Sequence, residues 1–395
     1  MRVLFVANRM PFPPYRGDKL KIFNLGKSLR ENHEIHLITI AENEEDVNAV
    51  SPLKKVFHKI DYIYIPTWKS KWNVVKAIFS SKPFQIAYFQ SKAFARMLKL
   101  KLESEHYDAI HVQHLRMSQF IPKEFKNKTI LDLPDAFSLY WQRRYLSSNN
   151  QLIRIFNKTE YQRLELFEKE IIPTFKMALV CSKEDQRYLE TIPHSCINLL
   201  QNGVDTQTFK PLLIAFEPLR ILFTGNMDYA PNIDAVNYFA TEIFPLILKQ
   251  VPKAQFVIAG QRPVPKVQQL ASENIKVTGF IENLANEYAK AHVVVSPLRI
   301  GAGTQNKVLE ALSMNIPVVT TYVGYEGLEL PHNIGALPSN DAWEFAENTI
   351  KILTDIDFRN QVGETGGELI RSRFSWASIA IKLESYLLKV QKSSN

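Results

Sequence analysis

Cysteine is scarce in this chain of 395 residues, and the scarcity excludes several classes of protein. Cys181 and Cys196 are its two cysteines, so neither a disulfide framework nor a cysteine metal cluster is expected. No apolar run approaches the length of a membrane span. A reducing, cytoplasmic setting fits these absences, and any membrane contact is expected to be peripheral.

Signatures of other enzyme and binding classes are also missing. The loop after the first predicted strand lacks the Gly-x-Gly-x-x-Gly pattern of dinucleotide-binding dehydrogenases, and no Asp-x-Asp metal motif sits in a suitable place. We therefore expect that no metal and no cofactor are required. The basic residues are dispersed and no RNA or DNA motif is evident, so nucleic-acid binding is disfavoured.

The chain carries a moderate excess of positive charge. Its 48 Lys and Arg residues against 40 Asp and Glu residues give a net charge of +8 and a pI near 9.2. This excess suits an anionic partner, such as a nucleotide diphosphate, an anionic membrane surface or a nucleic acid, without choosing among them.

Short apolar runs alternate with helical stretches along the whole chain, which predicts parallel sheets with crossover helices. A chain of this length is expected to form two domains. The predicted strands cover residues 3–7, 35–40, 60–65, 109–112, 129–133 and 177–181 in the first half and residues 220–224, 255–259, 275–278, 292–296 and 317–320 in the second.

A linker at residues 201–211, QNGVDTQTFKP, separates the two halves, since Asn202-Gly203 is a turn signal and Pro211 ends the segment. We assign residues 1–205 and 206–375 to two Rossmann-like domains. Residues 376–395 are predicted to form a terminal helix that packs back towards the first domain. Two doubly wound α/β domains would leave a cleft between the carboxyl ends of their strands, where ligands of such sheets bind.

Residues 297–321, PLRIGAGTQNKVLEALSMNIPVVTT, place a glycine-rich loop and a helix between two apolar strands. Gly301, Gly303 and Thr304 would let backbone N–H groups approach a phosphate at the start of that helix. Lys307 suits a diphosphate, and Glu310 can hold a pair of ribose hydroxyls. The glycines alone fit an ordinary βα unit equally well, but Gly-x-Gly, Lys and Glu together favour a nucleotide-sugar site.

Other candidate ligands for a nucleotide-sugar also follow predicted strands. Arg16 and Gly17 end a proline-rich loop after the first strand, where a glycine at a helix start would admit a phosphate, although a plain surface loop is the competing interpretation. Gly225 follows the first strand of the second half. We nominate Arg262 and Arg299, which follow later strands, as further partners of the diphosphate charge.

Candidate catalytic side chains follow the fourth and fifth strands. His114 fits a sugar or acceptor contact as well as a structural role, whereas His111 is interpreted as structural. Asp135 is the better candidate for contacting sugar hydroxyls, since Asp132 is expected to cap the following helix.

Residues 66–102 interleave basic and aromatic side chains, which suits an anionic membrane interface and a polyprenyl-linked glycan acceptor. A pair of ordinary amphipathic helices with solvated lysines is the competing interpretation, and the sequence alone slightly favours it. The segment contains Trp68, Lys69, Lys71, Trp72, Lys76, Lys82, Lys92, Arg96, Lys99 and Lys101.

These pieces, in this order, resemble the family 4 retaining glycosyltransferases of the GT-B fold. NGVDTQTFKP is similar to that family's interdomain segment, and PVV after the glutamate helix is similar to its nucleotide domain. A closer resemblance, to the sugar transferases of bacterial exopolysaccharide and exosortase loci, rests on MDYAPNIDAV, RIGAGTQNKVLEAL, HVQHLRM and LDLPDAFS. The resemblance implies two Rossmann-like domains facing across a cleft, the first binding the acceptor and the second the nucleotide-sugar.

The resemblance also implies an activity, the transfer of a hexose from a UDP- or GDP-sugar with retention of anomeric configuration. The acceptor would be a glycan or a lipid-linked glycan in bacterial surface polysaccharide synthesis, with the enzyme cytoplasmic or peripheral at the inner face of the plasma membrane. The resemblance assigns Glu310 to the ribose, Lys307 and the backbone of residues 301–304 to the diphosphate, and Gly17 to a phosphate contact from the first domain.

The chain departs from many relatives at four places. Ala302 replaces a second glutamate eight residues before Glu310, Asn226 and Asn232 replace an Arg and a Lys, and Pro134-Asp135 replaces a histidine. These losses keep a non-catalytic nucleotide-sugar-binding protein open as an alternative. A nucleotide-sugar epimerase on the same fold is a second alternative, which the lack of a second carboxylate beside Glu310 disfavours.

Overall fold

Two structural units make up the chain in the computed structural model, which describes residues 1–392 except residues 15, 49, 149, 215, 301–303, 326, 329, 332 and 333. The first unit comprises Met1–Gln201 with Ile379–Asn395, and the second comprises Asn202–Ser378. Among the described residues, no helix combines the length and the apolar content needed to cross a bilayer.

The first unit contains a parallel sheet of seven described strands in the order β3-β2-β1-β4-β5-β6-β7. Its strands are β1 (Arg2–Ala7), β2 (Glu34–Ala41), β3 (Lys59–Tyr64), β4 (Ala109–Gln113), β5 (Thr129–Leu133), β6 (Met177–Val180) and β7 (Ile197–Leu199). The central strands are continuous apolar runs because both faces of the sheet are covered by helices.

Nine described helices connect these strands, together with short 3₁₀ segments at Leu115–Phe120, Lys123–Lys128 and Ile172–Thr174. They are α1 (Gly17–Leu29), α2 (Glu44–Asn48), α3 (Val50–Leu53), α4 (Thr67–Ala77), α5 (Phe84–Tyr88), α6 (Lys92–Ser104), α7 (Phe137–Leu146), α8 (Gln151–Ile171) and α9 (Lys183–Glu190). Ser91, Asn150 and Ser182 cap α6, α8 and α9 by accepting backbone N–H groups of the first turn.

The second unit contains a parallel sheet of six described strands in the order β10-β9-β8-β11-β12-β13. The strands are β8 (Arg220–Thr224), β9 (Gln255–Ala259), β10 (Ile275–Gly279), β11 (Val293–Ser296), β12 (Val318–Thr321) and β13 (Ala336–Ser339). Apolar clusters cover both of its faces.

The helices of the second unit are α10 (Ala230–Tyr238), α11 (Phe244–Gln250), α12 (Pro265–Gln268), α13 (Leu284–Ala289), α14 (Asn306–Ser313), α15 (Tyr322–Tyr325), α16 (Ala342–Thr354) and α17 (Ile356–Arg373), with a π-helical turn at Phe239–Ile243. The last helix, α18 (Trp376–Lys392), begins in this unit and continues in the first. There Glu384 accepts a 2.7 Å hydrogen bond from His33, and the Tyr386 hydroxyl donates to the carbonyl of Leu199 at 3.1 Å.

The eleven predicted strands are confirmed, each to within one residue at either end, and two further strands were missed. The missed strands, β7 and β13, are short and lie at sheet edges. Pro338 lies inside β13, and an edge strand tolerates proline because one of its sides needs no ladder hydrogen bond.

Strand order reverses between β1 and β4 in the first sheet and between β8 and β11 in the second. Open α/β sheets bind ligands outside the carboxyl ends of the strands at such a reversal. The loops after β1 and β4, and those after β8 and β11, are therefore where functional side chains are sought in each unit.

Candidate functional site

Lys307 is the central cation at the reversal point of the second sheet, in the first turn of α14. Its side chain is buried, its Nζ donates a 2.9 Å hydrogen bond to Asn232 Oδ1, and it lies 4.0 Å from the centroid of the Phe223 ring. No carboxylate of the described residues lies within ion-pair distance of Nζ. Burial therefore lowers the pKa of Lys307 to about 7, although the charge of Glu310 opposes the shift.

Neutral amides hold Lys307 in place. Asn232 donates from Nδ2 to the carbonyl of Asn226 at 3.0 Å, and Gln261 donates to Asn226 Oδ1 at 2.8 Å. Asn226 and Asn232 are the positions where many relatives of the resembled family carry an Arg and a Lys. With amides there, the described residues orient Lys307 without adding a second fixed charge beside it.

Glu310 lies one turn after Lys307 on the same side of α14, as the i, i+3 spacing requires. Its Oε2 accepts a 2.8 Å hydrogen bond from the Tyr288 hydroxyl, which is also 2.6 Å from Thr224 Oγ1. Burial raises the pKa of the Glu310 carboxyl, with the Tyr288 hydrogen bond and Lys307 opposing the shift. The carboxyl is partly exposed and can accept hydrogen bonds from a hydroxyl pair.

Tyr288 is a site residue that sequence reasoning missed. It lies on α13, just before β11, and is fully buried between strand β8 and helix α14 through Thr224 and Glu310. A tyrosine at the end of an ordinary apolar helix gives no spacing signal. Only the fold brings its hydroxyl to the glutamate.

The glycine-rich loop is described only from Thr304 onwards, so Gly301 and Gly303 lie outside the described residues. Thr304 is buried, and a Cβ added at Gly327 would lie 2.8 Å from its Oγ1, so the chain around Gly327 approaches the loop closely. Gly225 ends β8, and a Cβ at Gly260 would lie 1.7 Å from the Gly225 carbonyl oxygen. Both strand ends therefore need backbone without side chains.

Arg262 and Arg299 are both ion-paired at the surface of the second unit. Arg299 forms a two-pronged pair with Asp234 at 2.7 and 3.0 Å and lies 4.4 Å from the centroid of the Tyr238 ring. Arg262 is largely exposed and lies 3.4 Å from Asp228. Neither contacts Lys307 or Glu310 among the described contacts, so a role on the diphosphate stays a prediction for both.

In the first unit, the helix expected to start at Gly17 is confirmed, because α1 begins at that residue and Arg16 precedes it. Arg16 is half-exposed and lies 3.7 Å from Asp18, which also pairs with Arg9 at 3.4 Å. Arg9 in turn pairs with Glu42 at 3.0 Å, at the end of β2. The loop thus contains arginines whose charges the neighbouring carboxylates partly neutralise.

His114 follows β4 in a left-handed backbone conformation, with φ at 84°, which few residues other than glycine adopt. Its buried ring packs edge-on against Phe137, and within the described chain its Nδ1 has no hydrogen-bond partner. Burial and the charges of Arg116 and Arg9 lower the pKa of His114 well below its usual value. The imidazole is therefore neutral and has a free nitrogen.

Arg116 lies beside it between two aromatic rings, 5.1 Å from the centroid of Phe89 and 5.3 Å from that of Phe137. Its guanidinium donates to the side-chain oxygen of Gln85. Burial, reinforced by the nearby charge of Arg9, lowers the pKa of Arg116 to about 9.

Asp135 follows β5 and is partly buried. Burial and the neighbouring carboxyl of Asp185 raise the pKa of Asp135 to about 8. Asp185 itself accepts a 2.9 Å hydrogen bond from the backbone N–H of Ala136. No hydrogen bond to the Asp135 side chain occurs among the described residues, so its carboxyl is a protonated, available group near neutral pH.

The expectation that Asp132 caps a helix is wrong. Asp132 is fully buried inside β5, accepts a 2.7 Å hydrogen bond from Lys21 Nζ and lies 3.0 Å from His111 Nε2. Glu168 of α8 instead accepts the backbone N–H groups at the start of α7. The structural interpretation of His111 is confirmed by the same contact.

Residues 218–355 match the family model described as Glycosyl transferases group 1. The second unit therefore contains a group 1 glycosyltransferase domain. The matched region contains β8 to β13 and all the residues of the Lys307 and Glu310 cluster, so this cluster lies in the part of the chain that defines the family.

This glycosyltransferase is 20% identical over 94% of its length to an uncharacterised 44.6 kDa protein in the cps region of Klebsiella pneumoniae, 96% of which is covered. Among solved structures it is similar to the sucrose-phosphate synthase of Thermosynechococcus elongatus, with a TM-score of 0.72, 18% identity and full coverage of both chains. It is also similar to Anabaena HepE in complex with UDP, with a TM-score of 0.67, 12% identity and coverage of 98% and 100%. These likenesses confirm the predicted GT-B fold.

Proposed function

We propose that this glycosyltransferase moves a hexose from a nucleotide diphosphate sugar to a glycan or lipid-linked glycan, with retention of anomeric configuration. The observation that carries the proposal is that buried Lys307 and Glu310 lie one turn apart on α14, at the reversal point of the second sheet. A cation and a carboxylate one turn apart are what a diphosphate and a ribose require.

The donor binds to residues 206–375 in this proposal. Lys307 and the backbone of residues 301–304 hold the diphosphate, and Glu310, positioned by Tyr288, accepts hydrogen bonds from the ribose hydroxyls. Thr304, Gly225, Arg262 and Arg299 follow strands of the second sheet and are further candidate contacts to the donor. Arg16 and Gly17, at the start of α1, stay predicted phosphate contacts of the first unit. HepE was crystallised with UDP, which makes UDP one candidate nucleotide, and GDP is the other.

The acceptor binds to residues 1–205. The neutral imidazole of His114 can accept a hydrogen bond from a sugar hydroxyl, and the protonated carboxyl of Asp135 can donate one. Arg116, which has no carboxylate bonded to it among the described contacts, can add a contact to an anionic group of the acceptor.

The reaction we propose needs no enzyme nucleophile. The acceptor oxygen attacks the anomeric carbon on the face that the diphosphate leaves, the bond from this carbon to the phosphate oxygen breaks, and the acceptor proton passes to the departing oxygen. Lys307 and backbone N–H groups stabilise the charge that develops there. No metal has a role in this scheme.

The similarity to a protein of a cps region supports a place in bacterial surface polysaccharide synthesis. A lipid-linked acceptor would bring the enzyme to the inner face of the plasma membrane as a peripheral protein. The basic and aromatic composition of residues 66–102 supports that location.

A thermal-shift assay of the purified protein against UDP, GDP and ADP, alone and as their sugars, tests the proposal. A ligand that binds the folded state raises the melting temperature by mass action, and the shift is expected with one nucleotide. Glu310→Ala should abolish the shift, whereas Glu347→Ala, on the exposed side of α16, should keep it.

Turnover gives an independent readout. Lys307→Ala is expected to lower kcat by about 100- to 1000-fold, the effect of removing one preorganised donor. Glu310→Ala should also lower turnover strongly while the fold survives. Near-wild-type turnover in both folded variants would overturn the site, and no thermal shift with any nucleotide would favour a non-catalytic protein.

A further inference from the structure

Helix α4 exposes the large apolar side chains that an ordinary amphipathic surface helix would bury. Its only buried residues are Ser70 and Ala77. Its large apolar side chains face outwards instead, with 65% of Trp68, 56% of Trp72 and 45% of Val75 exposed. A surface helix normally places its apolar stripe on the core, so this helix presents its stripe to another partner.

The apolar projection continues past the end of α4 and is held rigidly. Ile78 is 55% and Phe79 is 90% exposed in the turn that follows. Arg163 of α8 donates hydrogen bonds to the carbonyls of Ala77 at 3.0 Å, Lys82 at 3.2 Å and Ile78 at 3.4 Å. These three hydrogen bonds hold the turn in a conformation that leaves Phe79 in solvent.

The first half of α8 adds a second set of exposed apolar side chains. We call α4, the turn at residues 78–82 and this half of α8 together the block. Leu152, Ile153 and Ile155 are 79%, 51% and 64% exposed. The next residue, Phe156, stacks on Phe84 at the start of α5, with ring centroids 5.4 Å apart and planes 8° from parallel. The fold therefore joins two exposed apolar segments that are about 75 residues apart in sequence.

The block has a one-sided charge. Residues 67–82, which form α4 and the turn after it, contain four lysines and no Asp or Glu. Lys69 lies 5.5 Å from the Trp68 ring, and Lys76 lies 5.9 Å from the Trp72 ring. Within the described residues, Lys69, Lys71 and Lys76 form no ion pair.

A cavity of about 530 Å³ lies at the base of the block, between α4 and α8. Lys76, Lys82 and Arg163 line it with Leu166, which is 60% exposed, and Glu170. Burial lowers the pKa of Lys82, whose Nζ donates to Gln119. The cavity therefore brings three cations together with apolar side chains and one carboxylate, that of Glu170.

We infer that α4, the turn at residues 78–82 and the first half of α8 form a docking surface for a bilayer that contains anionic phospholipid. Tryptophan is favoured at the membrane–water interface, and lysines beside it reach the head groups with their long side chains. An anionic bilayer matches both the apolar face and the excess of cations, whereas protein–protein interfaces are depleted in lysine. The inference deepens the proposed function, since a lipid-linked acceptor lies in such a membrane.

Vesicle flotation of the whole chain tests the inference with phosphatidylglycerol-containing vesicles and with pure phosphatidylcholine vesicles. The wild type should bind the anionic vesicles, more weakly as salt rises, and bind phosphatidylcholine at least tenfold less. The triple variant Trp68→Ser/Trp72→Ser/Phe79→Ser should lose binding by at least about tenfold. Lys69→Gln/Lys71→Gln/Lys76→Gln should weaken binding about fivefold per lysine and flatten its salt dependence.

Trp343→Ser is the matched control, because Trp343 is 59% exposed but lies on α16 of the second unit. It should bind vesicles like the wild type. Equal binding of wild type and apolar triple variant, equal binding of both vesicle types, or no binding at all would each overturn the inference. So would a wild-type dimer that the triple variant converts to monomer, since the surface would then join two copies of the chain.

The thermal shift with UDP keeps this test separate from that of the proposed function. Both triple variants leave the Lys307 and Glu310 cluster intact and should keep the wild-type shift. Loss of vesicle binding with an unchanged UDP shift supports the docking surface. An unchanged vesicle binding together with a normal UDP shift overturns the docking surface alone.

Discussion

At the scale of single residues, Lys21 and Lys307 are both buried lysines, yet their surroundings shift their pKa values in opposite directions. Burial alone would lower the pKa of Lys21, but Asp132, 2.7 Å from Nζ, and Cys181 together raise it through their charges and hydrogen bonds. Lys307 has an amide partner instead, so burial prevails and lowers its pKa to about 7. Lys21 therefore stabilises the fold through its ion pair, whereas Lys307 can still bind an anion.

Binding of UDP is expected to be accompanied by proton uptake at pH 8. Free Lys307 is mostly neutral there, and a bound diphosphate restores its ammonium form, so about one proton is taken up per UDP, whose own phosphates are already ionised. Calorimetric titration in two buffers of different ionisation enthalpy measures the number. Lys307→Arg, whose guanidinium stays charged, should bind without uptake, and equal uptake by both proteins would contradict the assignment.

Lys21→Met is expected to destabilise the protein by about 3–5 kcal/mol, because it leaves Asp132 buried without its cation. Urea denaturation followed by circular dichroism measures the loss. Lys169→Met is the control, since the pair of Lys169 with Glu165 is about half-exposed and should change stability by about 0–1 kcal/mol. Similar values for the two variants would show that the buried pair contributes little.

Sequence spacing identifies site residues that lie on one element, but it cannot identify contacts between distant elements. Lys307 and Glu310 could be found because they lie on one short helix after a glycine-rich loop. The pair of Lys21 with Asp132 spans 111 residues, and Tyr288 reaches Glu310 from another helix, so no local pattern announces either contact. For the same reason Asp132 was misread as a cap.

At the scale of elements, the strands were predictable because buried parallel strands are continuous apolar runs. The two missed strands, β7 and β13, are edge strands of three and four residues. Because an edge strand pairs on one side only, its amino-acid composition is less restricted. The orientation of α4 could not be predicted, since the side of a helix that is buried depends on what packs against it. Its lysines were expected to face solvent, and its tryptophans do so as well.

Helix α17 packs against α14 and the chain before β13 through glycines. A Cβ added at Gly366 would lie 2.4 Å from the Cα of Gly335, a backbone atom that has no room to move. Gly366→Ala is therefore expected to cost about 1–3 kcal/mol of unfolding free energy, in spite of the higher helix propensity of alanine.

Urea denaturation checks this cost against Glu368→Ala, an exposed position on the same helix. That control should stay within about 0.5 kcal/mol of the wild type. A Gly366→Ala protein as stable as the control would mean that α17 and the chain before β13 can move apart without penalty.

At the scale of the whole molecule, the two units have separate sheets and separate apolar cores. Scanning calorimetry is expected to show two transitions, and UDP should raise only the one that belongs to the second unit. Leu312→Ala, in the second core, should lower the transition that responds to UDP, and Leu131→Ala should lower the other. A single transition that both substitutions shift equally would show that the units unfold together.

The exposed tryptophans of α4 are not needed for folding, although the proposed docking to the membrane requires them. Polar substitutions at Trp68, Trp72 and Phe79 remove no packing from the core, so a selection for solubility or yield would accept and even enrich them. A selection for surface polysaccharide would remove the same substitutions. Optimising this enzyme for expression therefore risks producing a well-behaved protein that no longer finds its acceptor.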